Sequence, residues 1–245
     1  MLSRREALSM FGVAGVALVA AACSDGGSND NAEGTATANS AKTKAASTTT
    51  TSPANATTTG AATTVDCVLT PEMTEGPYYL DDQVIRRDVT EGKTGIPLQL
   101  DLTVADASSC TPIPGLMVEI WHADAEGAYS GFGAGGSTTT FLRGGQNADT
   151  NGKVQFNTIY PGWYQGRTVH IHVKVHDGNT VHTTQLFFDQ TLTNEVFTRS
   201  PYQGHSGGTT NSQDNIFSGG GTSTTLKTSE SGNGYLGTLV MGVQR

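Results

Sequence analysis

Cysteine is scarce in this chain: Cys23, Cys67 and Cys110 are the only three in 245 residues. A structural zinc held by clustered thiolates is thereby excluded. Charge is sparse and acidic, with 14 Lys and Arg against 22 Asp and Glu and a formal net charge of −8. No basic run occurs, so nucleic acid is not an expected partner. The apolar run from Met10 to Ala22 is shorter than the roughly 20 residues of a comfortable membrane span. Amphipathic helical periodicity is also missing, which leaves strands as the material of the fold.

What is present begins with a targeting signal. "MLSRREALSMFGVAGVALVAAAC" joins a twin arginine, an apolar stretch and a small-residue site. Residues 1–23 are therefore set apart from the fold as a signal peptide. "SRREAL" resembles the twin-arginine export motif, and "LVAAAC" resembles a bacterial lipobox with Cys23 as the lipidated residue. The expected destination is outside the cytoplasm, as a cell-surface lipoprotein or a secreted protein. Residues 24–64 are almost all Ser, Thr, Ala, Gly and Asn. Such a stretch cannot bury enough apolar surface to offset its ordering entropy, so a disordered linker is expected. Over residues 1–64 Arg4, Arg5, Lys42 and Lys44 balance Glu6, Asp25, Asp30 and Glu33, so the negative excess belongs to residues 65–245. That length fits one domain. In an oxidising compartment a Cys67–Cys110 disulfide is the first expectation, with two free thiols as the alternative.

Residues 65–245 read as all-β, a β-sandwich of mainly antiparallel strands with long Gly-rich loops. "IPLQLDLTVAD" (96–106) alternates Leu98, Leu100, Leu102 and Val104 against polar residues. "PIPGLMVEIWHAD" (112–124) holds a second strand. "NADTNGKVQFNTI" (147–159) carries an Asn151–Gly152 hairpin signal. "TVHIHVKVHD" (168–177), "VHTTQLFFDQ" (181–190) and "YLGTLVMGV" (235–243) are further strands. "TLTNEVFTRSPY" (191–202) has room for one helical turn, and 204–221 reads as a loop.

One strand carries chemistry. Alternation puts His170 and His172 on one face, with Val169, Ile171, Val173 and Val175 on the other. Two imidazoles in a row can reach one metal ion. His122, His176, His182 and His205 lack this spacing and read as ordinary core or surface histidines; Trp121 reads as core. The nearby oxygen donors are Tyr160 and Tyr164. Phenolates beside imidazoles suit ferric iron better than zinc or copper, and a trivalent cation favours the ionised phenol. A zinc or copper protein built on the pair stays open at this point. So does a non-catalytic sandwich binding aromatics, metal or glycans at the cell surface.

"FNTIYPGWY…GRTVHIHVKV" resembles the intradiol ring-cleaving dioxygenases, the group of catechol and protocatechuate 3,4-dioxygenases. "TEGPYYLDD", "VEIWHADAEGAYS", "DTNGKVQFNTI", "HTTQLFFD" and "DNIFSGG" follow in that family's order, over about residues 66–243. The resemblance implies ferric iron, Fe(3+), on Tyr129, Tyr164, His170 and His172, with Tyr129 and His172 equatorial. It implies catalytic roles for Arg167, Gln185 and Tyr164: a proton acceptor in Tyr164, a charge stabiliser in Arg167, and substrate positioning by Gln185. The implied substrates are a small aromatic diol and O2, the product a cis,cis-muconate. Only Gln165 and Gly166 separate Tyr164 from Arg167, a shorter connection than the family's better-known members have, which predicts a more open site.

Overall fold

The computed structural model describes residues 67–82, 84–205 and 208–245. The signal peptide, Cys23 and the linker lie outside the described residues. Eight strands form two four-stranded sheets. They are β1 (Pro97–Asp106), β2 (Met117–Trp121), β3 (Arg143–Asn147), β4 (Lys153–Ile159), β5 (His170–Asp177), β6 (Thr180–Phe187), β7 (Lys227–Ser231) and β8 (Gly234–Val243). The first sheet runs β4-β1-β8-β7 and the second β3-β2-β5-β6. Only β1 and β8 pair parallel; the other pairs are antiparallel. The expected all-β sandwich is therefore the observed fold.

Alternation builds the core. Leu98, Leu100, Leu102 and Val104 of β1 are buried, and Leu100 and Leu102 lie across from Phe156 and Val154 of β4. Val118 and Ile120 of β2 and Ile171, Val173 and Val175 of β5 belong to the same cluster. The segment expected as a helical turn is α1 (Gln190–Val196), capped by Asp189, whose side chain accepts from the amides of Thr191 and Leu192.

Three expectations are corrected, and one strand was not expected. The Asn151–Gly152 turn forms, with Gly152 at φ +70 and the Asp149 carboxylate accepting from the Asn151 and Lys153 amides. It does not close a hairpin: β3 pairs with β2 and β4 with β1, so the chain passes from one sheet to the other. The turn signal fixes a local reversal, whereas strand pairing is decided by which apolar faces meet. β7 had no signal at all, because its residues are mostly exposed and show no apolar alternation. It is an edge strand, where a polar, charged sequence guards against pairing with another chain. The expected loop 204–221 in fact holds short helical turns at Asn211–Gln213 and Phe217–Gly221. Cys67 and Cys110 are free thiols here rather than a bridge; the Cys110 sulfur lies 3.7 Å from the Cys67 carbonyl oxygen.

The second sheet has two covered faces. Residues 71–79 run across the face opposite the core. The Met73 amide donates to Thr183 O (2.8 Å) and Thr184 Oγ1 to Pro71 O (2.8 Å). Lys174 pairs with Glu75, and the Tyr79 hydroxyl donates to Glu119 Oε2. Under this strap His170, His172 and Lys174 are buried, although they point away from the core of the sandwich.

Candidate metal and aromatic-diol site

His170 and His172 share the strap-covered face of β5, as the alternation requires. Their Nε2 atoms are 3.1 Å apart. Each ring is oriented by a neighbour. His170 Nδ1 donates to Thr168 O (2.6 Å), which leaves Nε2 with its lone pair toward the site. His172 lies opposite Trp121 in the β2–β5 register, and the indole stacks on its ring at 4.8 Å and 5°. Trp121 is buried as expected, yet its work is to hold a histidine.

The two phenols arrive on loops tied to each other. Past β2 the chain turns at Asp124, whose carboxylate accepts from the Glu126 and Ala128 amides (3.0 and 2.9 Å). The Asp124 carbonyl accepts from the Gly162 amide of the "YPGWY" loop (3.0 Å). A Cβ on Gly162 would stand 2.2 Å from that carbonyl, so only glycine permits the approach. Tyr129 and Tyr164 thus meet with ring centroids 5.6 Å apart. The Tyr164 hydroxyl is 3.3 Å from His170 Nε2, and the Tyr129 ring is 6.1 Å from that of His172. Tyr160 goes elsewhere: it is fully buried in the core between the sheets and bonds Thr193.

Arg167 and Gln185 complete the group. Arg167 Nη1 lies 3.4 Å from His170 Nε2, and Nη2 donates to Gln185 Oε1 (2.5 Å). Gln185 sits opposite His172 in the β5–β6 register and donates through Nε2 to Thr74 O (2.8 Å). Its amide therefore brackets the guanidinium and the strap. The remaining histidines stay apart. His122 is bonded to Ala123 O and Thr158 Oγ1, His176 to Glu119, His182 faces Glu72, and His205 lies in a short turn.

Burial controls the electrostatics. It pushes the Tyr129 phenol well above its ordinary range, and the neighbouring Tyr164 adds to this. Tyr164 is raised as well, chiefly by burial, with Arg167 working against it. Burial, then Arg167, holds His170 down to about 3; burial, then His170, holds His172 well below 6.5. Burial thus disfavours the charged form of all four side chains. The Tyr129 hydroxyl and His172 Nδ1 are buried without a hydrogen-bond partner, and buried polar atoms are rarely left so. Among the described residues no three His, Cys, Asp or Glu side chains cluster, so the mixed phenol–imidazole set is the candidate centre.

Three further residues contribute, two of them within the quoted segments "TEGPYYLDD" and "DNIFSGG", where nothing in the residue pattern assigns them a role. Tyr78 of "GPYY" stacks on Tyr129 at 4.3 Å and 18° and meets Tyr164 edge-on. Arg143 is 3 % exposed and bonds Ser130 next to Tyr129. Asp214, from the loop after α1, bonds Arg167. The Trp121–His172 pair was in principle legible, since β2 and β5 alternate on the same face. Beside Tyr129 opens a cavity of about 260 Å³, lined by Tyr78, Phe132 and Gly127 among others. A larger hollow of about 520 Å³ lies against Asp101, Thr103 and Thr238 of the first sheet, on elements that carry none of the converging groups.

The fold and the site define a class: β-sandwich proteins with two phenols and two imidazoles converging on a covered sheet face. The model of the dioxygenase family matches residues 70–215. A solved intradiol ring-cleavage dioxygenase from Tetranychus urticae is 35 % identical, with a TM-score of 0.70, covering 73 % of this chain and 95 % of that one. A catechol 1,2-dioxygenase of Acinetobacter lwoffii is 35 % identical over 101 residues, 39 % of this chain and 32 % of that protein. One of Acinetobacter baylyi is 32 % identical over 142 residues, 48 % of this chain and 45 % of that protein. The chain thus spans a third to a half of the length of these curated relatives. It belongs to the intradiol ring-cleavage dioxygenase family.

Proposed function

We propose that this protein uses O2 to open the ring of a catechol-type diol between its two hydroxylated carbons, giving a cis,cis-muconate-type product. The ion is ferric iron, held by Tyr129, Tyr164, His170 and His172. One observation carries the reading: two phenol oxygens and two imidazole Nε2 atoms face one another in a buried spot, with the Tyr129 hydroxyl unpartnered. A cation there would turn mutually facing lone pairs into ligands, and it would favour the ionised phenols that burial alone disfavours. Iron, when bound, supplies Lewis acidity toward the diol oxygens and draws electron density from the ring.

The chain's own groups do the rest. Tyr164 is half-buried while Tyr129 is 4 % exposed, so Tyr164 is the phenol that substrate can reach. With an ion bound, Tyr164 would be ionised, and its oxygen would then be the group able to accept a proton from a diol hydroxyl within hydrogen-bond reach. Arg167, held 3.4 Å from His170 Nε2, places a fixed positive charge where negative charge grows on the substrate. Tyr78 and Phe132 line a cavity of about 260 Å³ beside Tyr129, whose wall includes neither Tyr164 nor Arg167. The catechol named for the Acinetobacter relatives supports a catechol as first substrate.

The test is oxygen uptake by iron-loaded protein with catechol, hydroxyquinol and protocatechuate. Uptake, with a tyrosinate-to-iron absorption band that is lost in Tyr129→Phe, supports the proposal. A loaded, coloured protein that consumes no oxygen with any of the three is a binding module, and the enzyme reading fails.

A further inference from the structure

Arg167 poses a physical problem. It stands on the turn Gln165–Gly166–Arg167, with Gly166 at φ +89. Its side chain is long, and 17 % of it is exposed. It points a cation at two imidazoles that are themselves arranged to take a cation. Left to itself, the guanidinium would lower its energy by swinging out to water.

Asp214 prevents this. It is 2 % exposed and comes from a loop 47 residues further along the chain. Its Oδ2 accepts from Arg167 Nε (2.8 Å) and from the Thr168 amide (2.7 Å). Its Oδ1 accepts from the amides of Ile216 (2.8 Å) and Phe217 (3.1 Å). Three backbone donors thus fix the carboxylate, and the carboxylate fixes the guanidinium. With Nε on Asp214 and Nη2 on Gln185, only Nη1 is left to face His170. A buried ion pair adds little stability, because desolvation consumes most of its attraction. Its value here is aim.

We infer that Asp214 is a positioning residue for ring cleavage, acting through Arg167 and touching neither substrate nor metal. The inference rests on the proposed ring-cleavage reading, in which Arg167 stabilises charge on the substrate.

The test is a double-mutant cycle of Asp214→Asn with Arg167→Met, read in kcat and KM for catechol on iron-loaded protein. Asn keeps the shape but carries no charge and has one acceptor oxygen for two pairs of donors, so the hold on Arg167 weakens. The expected result for Asp214→Asn is a kcat lower by roughly 10- to 100-fold, the range for losing a transition-state charge partner. KM should stay near wild type; the visible absorption band is the control for His170, because Asp214 also fixes the amide of Thr168, whose carbonyl holds His170 Nδ1, and a band that shifts together with kcat overturns the inference. In the Arg167→Met background the same change should cost almost nothing, as coupled residues are non-additive. Asp214→Glu, which keeps the charge, should recover part of the rate. Wild-type kcat in Asp214→Asn, or a full further loss on top of Arg167→Met, overturns the inference. The cycle repeated in urea unfolding needs no turnover. Coupling there, with no oxygen uptake by the wild type, sinks ring cleavage but leaves the anchor; additivity there and in kcat sinks the anchor itself.

Discussion

His122 lies one residue beyond β2, fully buried and bonded at both ring nitrogens. Burial holds it down to about 4, against an ordinary 6.5. Between those values the unfolded chain takes up a proton that the folded chain refuses. Its contribution to stability is therefore complete above pH 6.5 and is lost as pH falls toward 4, at up to about 1.4 kcal/mol per pH unit. In metal-free protein His170 and His172 act in the same direction, so the histidine must be isolated by difference. Urea unfolding at pH 7 and pH 4.5 should show the wild type losing about 2 kcal/mol more than His122→Asn. Equal losses would mean that His122 is already protonated in the fold. At this scale the sequence was legible where residue type and spacing suffice, as in the His170–His172 pair. It was silent on Asp214, because nothing in "SQDNIF" marks an aspartate as the partner of a distant arginine.

At the scale of elements, the first described residues are stitched to the ends of the two central strands of the first sheet. Leu69 bridges Gly242 of β8, and the Cys67 sulfur donates to Asp106 O (3.3 Å) at the end of β1. Cys110, at φ +56, closes the turn that follows. Burial, aided by Cys110, pushes the Cys67 thiol up to about 11, so the exposed Cys110 is the thiol that an oxidant meets first. Both thiols are free, so Cys110 should be labelled first by a thiol reagent in the folded protein and Cys67 only after unfolding, and Cys110→Ser should leave stability nearly unchanged. A protein that yields neither thiol after unfolding, with a mass lower by two hydrogens, would refute this. Elements were well read wherever burial is one-sided: β1, β5 and β8 show their alternation plainly. β7 and the β3–β4 crossing were not, because an exposed edge strand has no apolar period, and a turn motif does not say which strands it leaves side by side.

For the whole molecule, the proposed metal, held by side chains from the β2 loop, the β4 loop and β5, would tie together parts of the chain that are separate in sequence. Binding to the folded state alone stabilises by mass action, about 4 kcal/mol at a thousandfold excess over Kd. In a domain of this size that corresponds to a Tm higher by roughly 10 °C. Iron removal by a chelator should lower Tm by about this much, and the shift should vanish in His172→Ala; an unchanged Tm on chelation would mean that the four side chains hold no ion. The amino-acid sequence by itself determined the β class, the inward faces of the strands, the histidine pair and, through the order of its motifs, the likeness to a family. These are properties of local period and residue type. The strap over His172, the Trp121 stack, the meeting of Tyr129 with Tyr164 and the Asp214 anchor were decided only in the tertiary structure. Each depends on two segments far apart in the chain arriving at one sheet face, and close packing alone selects which segments arrive.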